Sequence, residues 1–221
     1  MVWNDTKIRQ WAEDGNVTPY DSKMVNAASL DLRLGNLIRR HHPIWDRLSI
    51  VDMRQRIADG TIEQLPKWGD ATEFKSEWLM PDEFVLLHSL ESVCIPPTAA
   101  SILVLKSSRG REGYNHSHSG WGDPGFGYPK LSLTADKQPE AGAQWTFEVK
   151  SIARWPVELK AGNPFIQMVM LDMCNVPERC YEHVTWDNFR SGSVYSGNLG
   201  MQHVHGGIVL NDIPFTIKKG A

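Results

Sequence analysis

The chain has 221 residues, 41% of them hydrophobic, and a formal net charge of −3. That length fits one domain with a core of its own. The faintly acidic balance and the lack of a long basic run point away from a bulk polyanion such as nucleic acid as partner, and no apolar run approaches the ~20 residues of a membrane span.

The first residues, MVWNDTKIRQWAEDGNV, carry charges and no apolar stretch, so they do not read as a signal peptide. They predict a short helix instead: Asn4 or Asp5 caps it, Ile8 and Trp11 share a side, and Gly15 ends it. Residues 50–64 predict a second short helix, broken at Gly60. From residue 83 the pattern turns to strand. EFVLLHSLESVCI and SILVL are short apolar runs separated by Pro96, Pro97 and small residues. In QWTFEVKSI, Trp145, Phe147 and Val149 face one way, and Thr146, Glu148 and Lys150 the other. VELKAGNPFIQMVMLDM predicts strand, turn, strand, with the turn at residues 162–164. The stretch from Ser191 to Gly207 is rich in Gly and Ser and is expected to be mobile. Many short strands with Gly/Pro turns predict a mostly-β barrel or double-sheet jelly roll.

Two features suggest metal chemistry. His116 and His118 are two residues apart, as are His203 and His205. On a strand such spacing puts both imidazoles on one face, but Gly- and Ser-rich surroundings are poor strand, and solvent-facing loop histidines fit the same pattern. Cys174 and Cys180 lack a second pair at zinc-finger spacing. With Cys94 they make three cysteines without a framework, which favours free thiols and a reducing, cytoplasmic setting. The zinc-deaminase signature, H-x-E with a later P-C-x-x-C, is absent.

The phosphate reading is stronger. Lys106, Ser107, Ser108, Arg109, Gly110 and Arg111 follow SILVL directly. Cations, hydroxyls and a glycine at the end of a strand make an anion cradle, although a solvated basic turn looks the same. It is not a Walker loop.

That cluster has company. SLDLRLGN (29–36), LESVCIPP (90–97), KSSRGREG (106–113), SGWGDPGF (119–126) and WPVELKAGNPFIQM (155–168) occur in this order. Together with the N-terminal helix they resemble the dCTP deaminase family, within the trimeric dUTPase superfamily. The resemblance covers most of one domain, residues 1–221. It excepts a divergent, partly helical insertion at about 40–78 and a tail at about 188–221. It implies a dUTPase-like distorted β-barrel or jelly roll, a homotrimer with sites between subunits, a pyrimidine deoxynucleoside triphosphate as ligand, and Mg2+ held through the ligand's phosphates rather than by protein side chains.

By the same resemblance, the family's R-S-S-x-x-R motif falls on Lys106, Ser107, Ser108 and Arg111, which would contact phosphates and hold the reacting water, with Arg109 beside them. Lysine at 106 keeps the charge and loses the bidentate fork. Asp123 falls on a motif aspartate that is catalytic in dUTPases. Ser119, Gly120 and Trp121 would line the nucleoside pocket with Gln167, and Gly122 replaces a usual apolar residue. Tyr195 and Gln202 match a closing lid loosely, with Val194 where a lysine is usual. The tail FRSGSVYSGNLG also resembles a dUTPase arm, with Arg190 and Tyr195.

One departure bears on chemistry. Deaminases of this family carry a proton-shuttling glutamate on a strand that corresponds to PKLSLTADK, where the position is Ser132. Ser132 alternates with Leu131 and Leu133 and shares a side with Lys130 and Thr134. A hydroxyl cannot shuttle as a carboxylate does, and that help is worth ~10²–10⁴ in rate. The expectation is therefore hydrolysis of the triphosphate to monophosphate and diphosphate, with Asp123, Arg111 and Ser132 at the reacting end. Deamination of dCTP, through a relocated acid such as Asp136 or Glu140, and a non-catalytic nucleotide-binding regulator are the alternatives.

Overall fold

The computed structural model describes residues 1–116, 120–127 and 142–177. Helix α1 (Asp5–Trp11) starts where the Asn4 side chain accepts the Lys7 amide, and it buries Ile8 and Trp11. A wider turn, Ala12–Asn16, ends it through Gly15 at φ +88°, a conformation glycine adopts without strain. The sequence-predicted helix is present.

Twelve short strands follow among the described residues: β1 (Val17–Thr18), β2 (Leu30–Arg33), β3 (Leu37–Ile38), β4 (Thr72–Glu73), β5 (Ser76–Leu79), β6 (Phe84–Val93), β7 (Ala99–Leu105), β8 (Tyr114–His116), β9 (Trp121–Gly122), β10 (Ala143–Ser151), β11 (Val157–Lys160) and β12 (Pro164–Asp172). They form sheets of order β1-β6-β10-β8 and β2-β12-β7-β9 and the ribbons β11-β5 and β3-β4, and the pairs within them are antiparallel. The fold is mostly β with a short N-terminal helix, and among the described residues no sheet closes into a barrel.

Alternation builds the core. Along β10 every second residue is buried, Ala143, Trp145, Phe147, Val149 and Ser151, and Phe147 has no exposed surface. Leu30, Leu32, Leu103, Ile166 and Met168 of the other sheet join the same apolar cluster. Each such fully buried large side chain contributes about 1.5–3 kcal/mol. A polar clamp ties the sheets: the Arg33 amide and Nε donate to the Glu91 carboxylate at 2.8 and 2.5 Å.

The stretch at 40–78 contains helix α2 (Ile50–Ala58), closed at its start by a reciprocal pair in which Ser49 and Asp52 accept each other's amides. Gly60, at φ +73°, ends it as expected, before a single tight turn at Ile62–Gln64. No residue of α2 is buried. The end of the stretch does belong to the core, since Phe74 is buried and β5, which runs on to the buried Leu79, pairs with β11.

Candidate functional site

The basic cluster after β7 forms a helix, not an open turn: α3 (Ser107–Glu112), stopped by Gly113 at φ +103°. Its shape follows from the backbone, because the Gly110 amide bonds back to the Lys106 carbonyl at 3.0 Å. Ser107 is exposed and Ser108 half-buried. Lys106, at the N-cap, turns inward. Its ammonium lies 2.5 Å from Oδ2 of Asp31, which is only 6% exposed. Asn26 donates to the other Asp31 oxygen at 2.9 Å. Gln167 stands opposite Asp31 on β12 and donates to Ser29 at 3.4 Å. Thus Lys106 and Gln167 share a polar cluster beneath α3.

The arginines behave differently. The Arg109 guanidinium pairs with Glu112 at 2.7 Å, and its buried Nε has no acceptor among the described residues. Arg111 is exposed and has no ion-pair partner among the described residues. Both border a cleft of about 490 Å³ shared with Tyr114, Trp155, Glu158 and Lys160. Lys160 pairs with Glu158 at 2.9 Å. The Tyr114 hydroxyl donates to the Glu158 carbonyl at 2.6 Å, and burial pushes its ionisation up to about 12, so it stays a donor.

The aspartate motif lies on β9, which pairs with β7 through Trp121 opposite Ile102 and Gly122 opposite Ser101. Both glycines are required there. A Cβ on Gly120 would meet the Leu103 carbonyl at 2.8 Å; one on Gly122 would meet Ser101 Oγ at 2.1 Å and the Trp145 ring at 2.6 Å. This explains why Gly122 stands where an apolar residue is usual: Trp145, stacked on Phe126 at 3.8 Å, fills the space. Asp123 is exposed, and its Oδ1 accepts the Trp121 indole N–H at 2.8 Å. Asp123 follows β9 just past the pair Gly122–Ser101, so about six strand residues, or about 20 Å at 3.3 Å per residue, lie between it and Lys106 along β7.

The structure therefore gathers the predicted residues into two groups. Lys106, Ser107, Ser108, Arg109, Arg111 and Gln167 surround α3, whereas Gly120, Trp121 and Asp123 lie at the far end of β7. Ser119, Ser132, Tyr195 and Gln202 lie outside the described residues, as do His118, His203, His205 and the 188–221 tail. His116 packs edge-on against Phe147 at 5.9 Å. Among the described residues no three His, Cys, Asp or Glu side chains gather to hold a metal. Burial pushes the Cys94 thiol up to about 11, which makes it unreactive, and Cys174 is exposed. Asp31 escaped the sequence reading, although its signal was present: one carboxylate among the leucines of SLDLRLGN.

Comparison with known proteins places these features in context. Residues 2–173 match the model of the dCTP deaminase-like family. The chain is 32% identical over 203 residues to a dCTP deaminase, dUMP-forming, of Mycolicibacterium vanbaalenii, spanning 90% of this chain and 93% of that protein. It is 28% identical over 183 residues to the protein of the same description from Aquifex aeolicus, spanning 82% and 87%. In fold it resembles the crystal structure of 2'-deoxycytidine 5'-triphosphate deaminase from Agrobacterium tumefaciens, with a TM-score of 0.50 at 20% identity, over 80% of this chain and 50% of that one.

Proposed function

The chain belongs to the dCTP deaminase-like family, and from that premise we propose that it hydrolyses a pyrimidine deoxynucleoside triphosphate to the monophosphate and diphosphate. The observation that carries this reading is a pair of uncommitted charges. Among the described residues, Asp123 has one carboxylate oxygen without a partner and the Arg111 guanidinium has no ion-pair partner. A carboxylate that orients water and a fork that takes charge on the leaving phosphates are what cleavage of the α–β linkage needs. At position 132 the sequence offers a hydroxyl and no carboxylate for proton transfer at the base.

Magnesium would be held through the nucleotide's phosphates, not by protein side chains, and would supply neutralisation of phosphate charge there. The Ser107 and Ser108 hydroxyls and Arg109 hold the phosphates. The separation of about 20 Å between Asp123 and the start of α3 is too long for one chain to bring both groups to one reacting phosphorus. This supports a site shared between copies, in a homotrimer.

A second reading has one observation in its favour. The relatives above are described as dUMP-forming, and dCTP becomes dUMP only by losing both its amino group and diphosphate. Deamination at the same site would need an acid other than residue 132. Incubation with dCTP or dUTP and magnesium, followed by separation of products, tests both. Diphosphate release from dUTP supports hydrolysis alone, and dUMP from dCTP supports the coupled reaction. Saturable binding without turnover defeats both in favour of a nucleotide-binding regulator.

A further inference from the structure

We propose that Trp121 is a positioning residue that aims the Asp123 carboxylate at the reacting water; this rests on the reading of Asp123 given above. Trp121 is 54% exposed. An indole so placed contributes little to the core, and its N–H is turned to the neighbouring carboxylate. Its backbone is held flat against β7. The Leu103 amide donates to the Gly120 carbonyl at 2.6 Å, and the glycines on both sides of Trp121 lie where no Cβ fits. Asp123 follows that strand directly, and the bond between the two side chains sets them on the same side.

The indole N–H is a donor only, and it meets Oδ1 of Asp123 at 2.8 Å. No other described side chain holds this carboxylate. The bond stops rotation about the terminal torsion, which is otherwise broad for aspartate. It engages one oxygen and leaves the other as the acceptor for a water proton. Oriented groups of this kind act through geometry, so removing the indole donor lowers the rate of the chemical step and leaves ground-state binding of the nucleotide unchanged.

The test uses the full chain with dCTP and dUTP plus magnesium. Trp121→Phe removes the donor and shortens the ring, whereas 3-benzothienylalanine at position 121 keeps the ring's shape and lacks only the N–H. Both variants are expected to lose kcat on the order of tenfold; the benzothienyl variant, which keeps the ring's shape, should hold KM within about twofold. In combination with Asp123→Ala, Trp121→Phe is expected to add no further loss, because it acts through a carboxylate already gone. Wild-type kcat in the benzothienyl variant, or additive losses in the double variant, would overturn the positioning role while the Asp123 assignment stands. Full turnover by Asp123→Ala would overturn the assignment and the positioning role together, as would a wild-type protein that turns over neither nucleotide.

Discussion

The ammonium of Lys106 and the carboxylate of Asp31 form an ion pair that pins the first turn of α3 to strand β2. Asp31 is nearly sealed from solvent, so removal of its cation leaves a buried charge whose remaining side-chain donor among the described residues is the Asn26 amide. Lys106→Ala is therefore expected to destabilise the fold by about 3 kcal/mol, measured by urea unfolding. Lys106→Ala combined with Asp31→Leu should recover part of that loss, because the stranded charge is gone.

Arg111 has no such duty. Arg111→Ala is expected to leave the unfolding midpoint within about 0.5 kcal/mol of wild type, as exposed surface changes do. It should weaken triphosphate binding at least tenfold, the size of one lost charge-assisted contact. Isothermal titration with the magnesium nucleotide checks it, and equal affinity in the variant would remove Arg111 from the phosphate site.

Gly122 makes a packing prediction. Gly122→Ile forces a side chain into space held by Ser101 and the Trp145 ring, and overpacking of this kind costs about 1–3 kcal/mol. Trp145→Leu in the same chain vacates that space. The double variant should melt higher than Gly122→Ile alone, and thermal denaturation would show it.

His88 gives the fold a pH dependence. Burial holds its pKa below the ordinary histidine value. Its Nε2 accepts the Leu37 amide at 3.2 Å while Nδ1 lies 2.8 Å from the Ser89 carbonyl, so the neutral ring carries its proton on Nδ1. The unfolded chain takes up a proton near pH 6.5, before the folded one does. The contribution to stability is thus complete above about pH 6.5, and it is lost as pH falls toward the lower folded value. His88→Gln, which keeps an acceptor and does not titrate, should show a flatter dependence of urea midpoint between pH 7.5 and 5.

Elements with period-two burial were legible in the sequence. β10 reads apolar at every second residue because one of its faces packs on the core. The helix at 5–11 was legible from its cap and terminal glycine, and the helix at 50–58 from the glycine that follows it. Helix α3 was not, because six residues hold too few turns for a period, and Ser, Gly and Arg there look like a loop. β3 and β4, two residues each, carry no alternation at all. The ordered motifs gave the family, and residue types nominated Asp123 and Arg111. What the chain order did not disclose was the commitment of Lys106, since its partner is 75 positions away. Nor did it disclose the distance between the α3 group and Asp123, which depends on the register of β9 against β7.

Helix α2 buries no side chain and holds its start by its own serine–aspartate exchange. Its opening is then decoupled from that of the sheets. Its amide hydrogens should trade with deuterium through local fraying, orders of magnitude sooner than those of β6 and β10, which wait for the whole fold to come apart. A loop grafted in its place, or a protease cut within it, would leave the rest of the domain standing.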